Sequence, residues 1–315
     1  MFWVGSVTLI ELLFVVVGVL LAYALPRLEE RSLSAVCLYV LAPILFFRVA
    51  MNQNVFDHHF TWVFFFLLFH TGLLVLILYA VCAWFRVPKA VRDLYLLVTV
   101  MVSAYGVWNL QPLWTAPNDG FESINSMIFF HALLFAVVGV YWAHEEGNWF
   151  TDLTAIAKTP LAYAIIAGLG FAVYQTEIPF ALLQEIDQVY GITVPFALLI
   201  AGVVWGRYVY LVEFQEYLGL LPGLGLCLLF RLVVSPLLAI GIVAAMGIQE
   251  APLRNFLVAC SAAPTSVLVL VLVSVYRKSR EVRFVVLFWL LSSLLSLLAL
   301  PLWQWASEPV FRQLQ

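Results

Sequence analysis

Residues 260 to 267, CSAAPTSV, set three hydroxyls around a proline in the middle of an apolar run, with FLVA before it and LVLVLVS after it. Pro264 has no N–H to give to the carbonyl of Cys260, and its ring crowds that carbonyl, so an unbroken helix is disfavoured here. Read as the first turn of a new half-helix, Pro264 leaves the N–H groups of Thr265 and Ser266 unpaired at a positive helix end, which suits a carboxylate or other anion. Ser261, Thr265 and Ser266 add hydroxyls for a ligand or an ion. A second stretch of this kind is SAYGVWNLQP, residues 103 to 112. There Gly106 is the permissive residue, Asn109 and Gln111 bring amides, and Pro112 ends the local ladder. Tyr105 and Trp108 supply two large rings that suit the wall of a flat ligand. The plain alternative is a proline kink whose hydroxyls bond back to the preceding turn.

Ionisable residues inside apolar runs are functional candidates because their burial is costly. Glu11, His70, His131 and Arg231 are the main ones. Each has a bland reading: His131 and Arg231 as partners of backbone carbonyls, Glu11 snorkelling near the outer face, His70 as a satisfied core histidine. His70 and Arg231 stand ahead as coupling candidates, since they fall in corresponding spans of the two halves described below. Arg48, near a span end, reads as snorkelling. There is no G-x-S-x-G, H-E-x-x-H or P-loop, and His58-His59 is not a ligand pair on one helix face, so enzyme chemistry has no signature here.

These residues sit in a chain of 315 residues that is 64% hydrophobic and 10% charged, where a soluble domain averages about 25% charged. This is a membrane protein. The formal net charge is -3, and with no basic patch interleaved with aromatics nucleic-acid binding has no support. Cys37, Cys82, Cys227 and Cys260 lie in apolar runs without paired spacing and read as small core residues. Ala22-Tyr23-Ala24 mimics a signal-peptidase site, but MFWVGS lacks a positive charge and Glu11 interrupts the run, so the segment reads as a transmembrane helix.

Apolar stretches long enough to cross about 30 Å of hydrocarbon predict ten spans: 6–25, 33–51, 60–85, 93–115, 123–143, 160–176, 192–210, 219–246, 253–276 and 283–305. The amphipathic segment 177–189 reads as an interfacial piece. Loops after odd-numbered spans, with the adjoining span ends, carry Arg27, Arg31, Arg86, Lys89, Arg92, Lys158, Arg207, Arg277, Lys278, Arg280 and Arg283; the other side has Arg254 and Arg312. The positive-inside rule then makes the odd loops cytoplasmic and both termini non-cytoplasmic. LAPILFF in span 2 and TVPFALL in span 7 put Pro43 and Pro195 in similar places, and spans 4 and 9 share the polar interruptions. Five spans per half, 1–150 and 151–315, make an inverted repeat, in which paired broken helices point to a midplane site.

The segment AAPTSVLVLVLVSVYRKSREVRFVVLFWLLSSLLSLLALPLW, with LLFRLVVSPLLA (228–239) and ITVPFALLIAGVVWG before it, resembles the auxin efflux carrier family of permeases from about residue 190 to 305. The resemblance implies an all-helical fold of ten spans in two inverted five-helix repeats, with helices 4 and 9 broken and crossing. It implies a scaffold of spans 1, 2, 6 and 7, a mobile transport domain of spans 3–5 and 8–10, and elevator-like transport of small organic anions such as auxin, malate or malonate. Span 4 departs from the family pattern, which has an asparagine seven residues before its proline and a glycine two before it. Here those positions are Tyr105 and Leu110, and the asparagine is Asn109. The substrate is therefore not inherited.

The sequence thus predicts a secondary transporter of a bacterial inner membrane. Ser261, Pro264, Thr265 and Ser266 would hold an anion against a wall of Tyr105, Gly106, Trp108, Asn109, Gln111 and Pro112. No cofactor is expected, with H+ or Na+ as coupling ion, the lipid bilayer as surroundings and a homodimer through the scaffold spans. The alternatives are a receptor that binds without moving its ligand, and a sodium-coupled bile-acid-type symporter.

Overall fold

The computed structural model describes residues 2–52, 59–102, 121–144, 149–176, 178–208 and 214–312. They form helices almost throughout, as a chain in lipid must to satisfy its own backbone groups. In chain order these are α1 (Phe2–Ala24), α2 (Glu30–Ala50), α3 (Phe60–Trp84), α4 (Lys89–Val100), α5 (121–143), α6 (Trp149–Lys158), α7 (Pro160–Val173), α8 (Phe180–Tyr208), α9 (214–246), α10 (Ala251–Ala262), α11 (Val267–Tyr276) and α12 (Ser279–Arg312).

Among the described residues, six helices are long and apolar enough to cross a membrane: Glu30–Ala50, Phe60–Trp84, Asn125–Ala143, Phe180–Tyr208, Gly219–Met246 and Ser279–Phe311. Predicted spans 4 and 9 fall short of that length because each stops at a break, at Val100 and at Ala262. Leu12–Ala24 and Pro160–Val173 are shorter apolar helices.

The segment 177–189, expected to lie apart at the interface, is corrected: Phe180–Tyr208 is one helix. Pro195 stands inside it, and Thr193 donates to Val189 O at 2.8 Å one turn earlier. Arg48 does not simply snorkel either, since it pairs with Asp187 of α8.

Among the described residues three helices widen by a π turn, at Cys37–Leu41, Phe135–Gly139 and Phe230–Val234. In α9 the turn precedes Pro236, which cannot donate to Leu232 O. That carbonyl instead accepts the Trp303 indole N–H at 2.7 Å.

Two close approaches hold α1, α2, α7 and α8 together. A Cβ on Gly18 of α1 would overlap the Leu199 carbonyl of α8 and come within 2.9 Å of Gly202 Cα. A Cβ on Gly168 of α7 would crowd the Phe47 carbonyl of α2 and lie 2.9 Å from Ala50 Cβ. Only glycine lets these backbones meet so closely. α11 is the central element. Its VLVLVLVSV is buried on every side, as a helix apolar all round must be, with α2, α8 and α12 packed about it. The four cysteines are buried and free, as the sequence suggests.

Candidate functional site

The break in the 251–276 stretch runs over four residues. Ala263 is extended (φ -66°, ψ 154°), as the residue before a proline prefers to be, and Ser266 is extended (φ -67°, ψ 135°) as the N-cap of α11. α4 ends in the same way, with Met101 extended at φ -76° and ψ 106°. The two extended pieces meet. Val102 and Thr265 form an antiparallel bridge, Ser266 N–H donates to Met101 O at 3.1 Å, and the Thr265 hydroxyl donates to the same oxygen at 2.9 Å. Each broken helix thereby satisfies backbone groups that the other has freed, which hydrocarbon would leave at a cost of several kcal/mol.

Arg231 joins the same junction from α9. It is fully buried, and it donates from Nε to Ala263 O at 2.6 Å, from Nη1 to Thr99 O at 3.0 Å and from Nη2 to Cys260 O at 3.5 Å. Its acceptors lie at the C-terminal ends of α4 and α10, where the helix dipoles are negative. Those two ends balance the guanidinium, and Arg231 has no carboxylate partner among the described residues. One turn on, Ser235 donates to Ser261 O at 2.8 Å. The hydroxyl proton is spent there, so in the 3.1 Å contact between Ser235 Oγ and His70 Nε2 the imidazole is the donor. His70, stacked on Phe66 at 5.2 Å, is thus a fixed strut of α3 against α9.

The hydroxyls that the sequence offers to a ligand are largely committed inside the protein. Thr265 N–H reaches Ser292 Oγ at 3.5 Å, and Ser261 bonds back to Val258 O at 2.6 Å. Ser266 Oγ caps α11 by accepting Leu268 N–H at 3.3 Å. The expectation of unpaired N–H groups on Thr265 and Ser266 is therefore corrected, because Pro264 precedes the new helix by three residues instead of opening it. The break in the first half likewise comes at Met101, ahead of Gly106. Tyr105, Gly106, Trp108, Asn109, Gln111 and Pro112 lie outside the described residues, as does the side chain of Glu11.

Beside the junction is a pocket of about 700 Å³, open mouth included, walled by α2, α5, α8, Met101, Val102 and residues 266–268. Leu45, Phe46, Phe135 and Val194 make most of it apolar, while Ser266, His131 and Tyr190 are its polar side chains. Ser266, Val267 and Leu268 bring the N-terminus of α11 into the wall. His131 is 7% exposed and holds Met127 O at 2.8 Å through Nδ1. It also borders an apolar groove between α3 and α5. The structure thus brings Ser261, Pro264, Thr265, Ser266, Arg231 and His70 to one junction, but only Ser266 of these lines the pocket. Reading the sequence missed Met101, Ser235 and Tyr190, and ranked His131 behind His70 and Arg231. The one available signal was Ser235-Pro236 shortly after Arg231.

A search of curated proteins found no match. The family described as membrane transport protein matches residues 148–304, which hold the break, Arg231 and α11. Over these residues the chain is similar to this membrane transport protein family, which contains the auxin efflux carrier permeases.

Proposed function

We propose that the protein is a secondary transporter of a small organic anion, working by elevator-type alternating access at the junction of its two broken helices. One observation carries this reading. The break at residues 263–266 sets the N-terminus of α11 in the wall of a mostly apolar pocket, where the positive end of the helix dipole favours negative charge. The apolar lining suits the body of such a ligand, and the α11 end suits its carboxylate.

The ten-span inverted repeat is part of the same proposal. In it, spans 1 and 6 correspond, as do 2 and 7, and the glycine contacts of α1 on α8 and α7 on α2 are then repeat-related. Spans 4 and 9 correspond too, and α4 and α10–α11 break where they meet. α1, α2, α7 and α8 would be the scaffold and the remaining spans the moving domain. The distribution of Lys and Arg supports cytoplasmic odd loops in a bacterial inner membrane. A homodimer through the scaffold belongs to this reading as well.

The test is a thermal-shift screen of the purified protein against small carboxylates and amines, since a ligand selective for the native state raises its apparent stability. Carboxylates are expected to shift the melting and amines not to; a shift for amines alone contradicts the anion reading.

A further inference from the structure

Two buried histidines lie near the junction, and their hydrogen bonds give them different chemistry. Nε2 of His70 is a donor, fixed by Ser235. In His131 the fixed atom is Nδ1, 2.8 Å from Met127 O. A carbonyl oxygen only accepts, so Nδ1 carries the hydrogen, and in a neutral ring Nε2 is a bare acceptor. Nε2 has no hydrogen-bond partner among the described residues, although His131 is more than nine-tenths buried and lines the pocket.

A bare acceptor repels a carboxylate. The same atom carrying a proton becomes a charged donor that attracts one, strongly so in a medium of low dielectric constant. Anion and proton therefore favour each other at this ring. The charged and titratable groups around it do not supply the proton's role otherwise. Arg231 from α9 is tied to three carbonyls and His70 from α3 is a donor already in use. Tyr190 from α8 shares the pocket, while α2 contributes only apolar side chains to it. No Asp or Glu lines the pocket among the described residues.

We infer that His131 is the proton-coupling residue of the pocket: its Nε2 takes up one proton as the carboxylate binds, and both leave together. The proton comes from the water on the side to which the pocket opens and is released to water on the other side. A monovalent anion then crosses with no net charge moved. This inference rests on the organic-anion reading above and names its coupling ion.

Benzoate is the probe, binding to the purified full-length protein by calorimetry over a pH range in which it stays ionised. Affinity is expected to tighten as pH falls, by up to about tenfold per pH unit, the linkage slope for one proton. In weakly buffered solution close to one proton should be taken up per benzoate bound, a readout that needs no variant. His131→Gln should bind with a nearly flat pH profile. Binding with no proton uptake, or a slope that survives in His131→Gln and vanishes in His70→Gln, overturns the assignment while leaving the anion reading intact. Absence of benzoate and malonate binding to the wild-type protein at every pH overturns both.

Discussion

Arg231 donates to the carbonyl of Ala263, 32 residues along the chain, at 2.6 Å, and with the same guanidinium reaches Thr99 in the other half of the protein at 3.0 Å. One buried side chain thus caps the C-terminal ends of both broken helices. A planar fork of five donors suits three diverging carbonyls, whereas an ammonium offers a point charge. Arg231→Met should destabilise the protein by about 3 kcal/mol, because hydrogen bonds from a charged group are worth roughly 1.5–3 kcal/mol each and the relieved desolvation offsets part of that. Arg231→Lys should recover only part of the loss. Apparent melting in detergent reads both, and equal melting of Met and wild-type proteins would deny Arg231 its capping role.

The glycine contact between α1 and α8 predicts a positional contrast. Gly18→Ala forces a methyl into the Leu199 carbonyl, whereas Gly170→Ala in α7 meets nothing within 4 Å. Overpacking typically costs about 1–3 kcal/mol, while an alanine in an open helical site is neutral or slightly stabilising. Melting curves of the two variants should therefore move apart, with Gly18→Ala the lower.

Tyr39 of α2 and Tyr276 at the end of α11 share a hydrogen bond of 2.8 Å between their hydroxyls. In the proposed orientation this contact joins scaffold to moving domain on the cytoplasmic side, while the pocket lies between the outer halves of α2 and α8. The bond must then break for the site to face inward. Tyr39→Phe should weaken the state that contains it by about 1 kcal/mol, changing uptake rate several-fold. Tyr276→Phe should do the same, and the double variant no more than either single one. Additive effects in the double variant would mean that the two hydroxyls do not act through each other.

Much of the junction was legible in the sequence, and the unread part has a physical cause. Pro264 announces its own break, because the missing N–H and the crowded Cys260 carbonyl are local facts. Met101 announces nothing. It is followed by VSAY, with Gly106 five residues away, and its carbonyl is freed because Thr265 and Ser266 offer replacement donors from the other half. Such an exchange is a tertiary event. Arg231 stood out as a costly buried cation, but its acceptors exist only where helices stop, so its role needed the breaks to be in position. Thr265 stood out in the sequence for its hydroxyl, and in the structure that hydroxyl joins the halves by donating to Met101 O. His131 and its bare Nε2 became informative only when Met127 fixed the tautomer. The continuous α8 was missed because the polar 184–188 stretch argues for a boundary that tertiary packing overrides.

The most direct measurement of the central claim is flux. Purified protein in liposomes is given radiolabelled benzoate and malonate on one side, with protein-free liposomes as the reference. The account predicts saturable movement of at least one of them across the membrane, sharply reduced in Thr265→Val, whose lost bond to Met101 loosens the junction. Saturable binding with no movement from either side would contradict it and leave a receptor in its place.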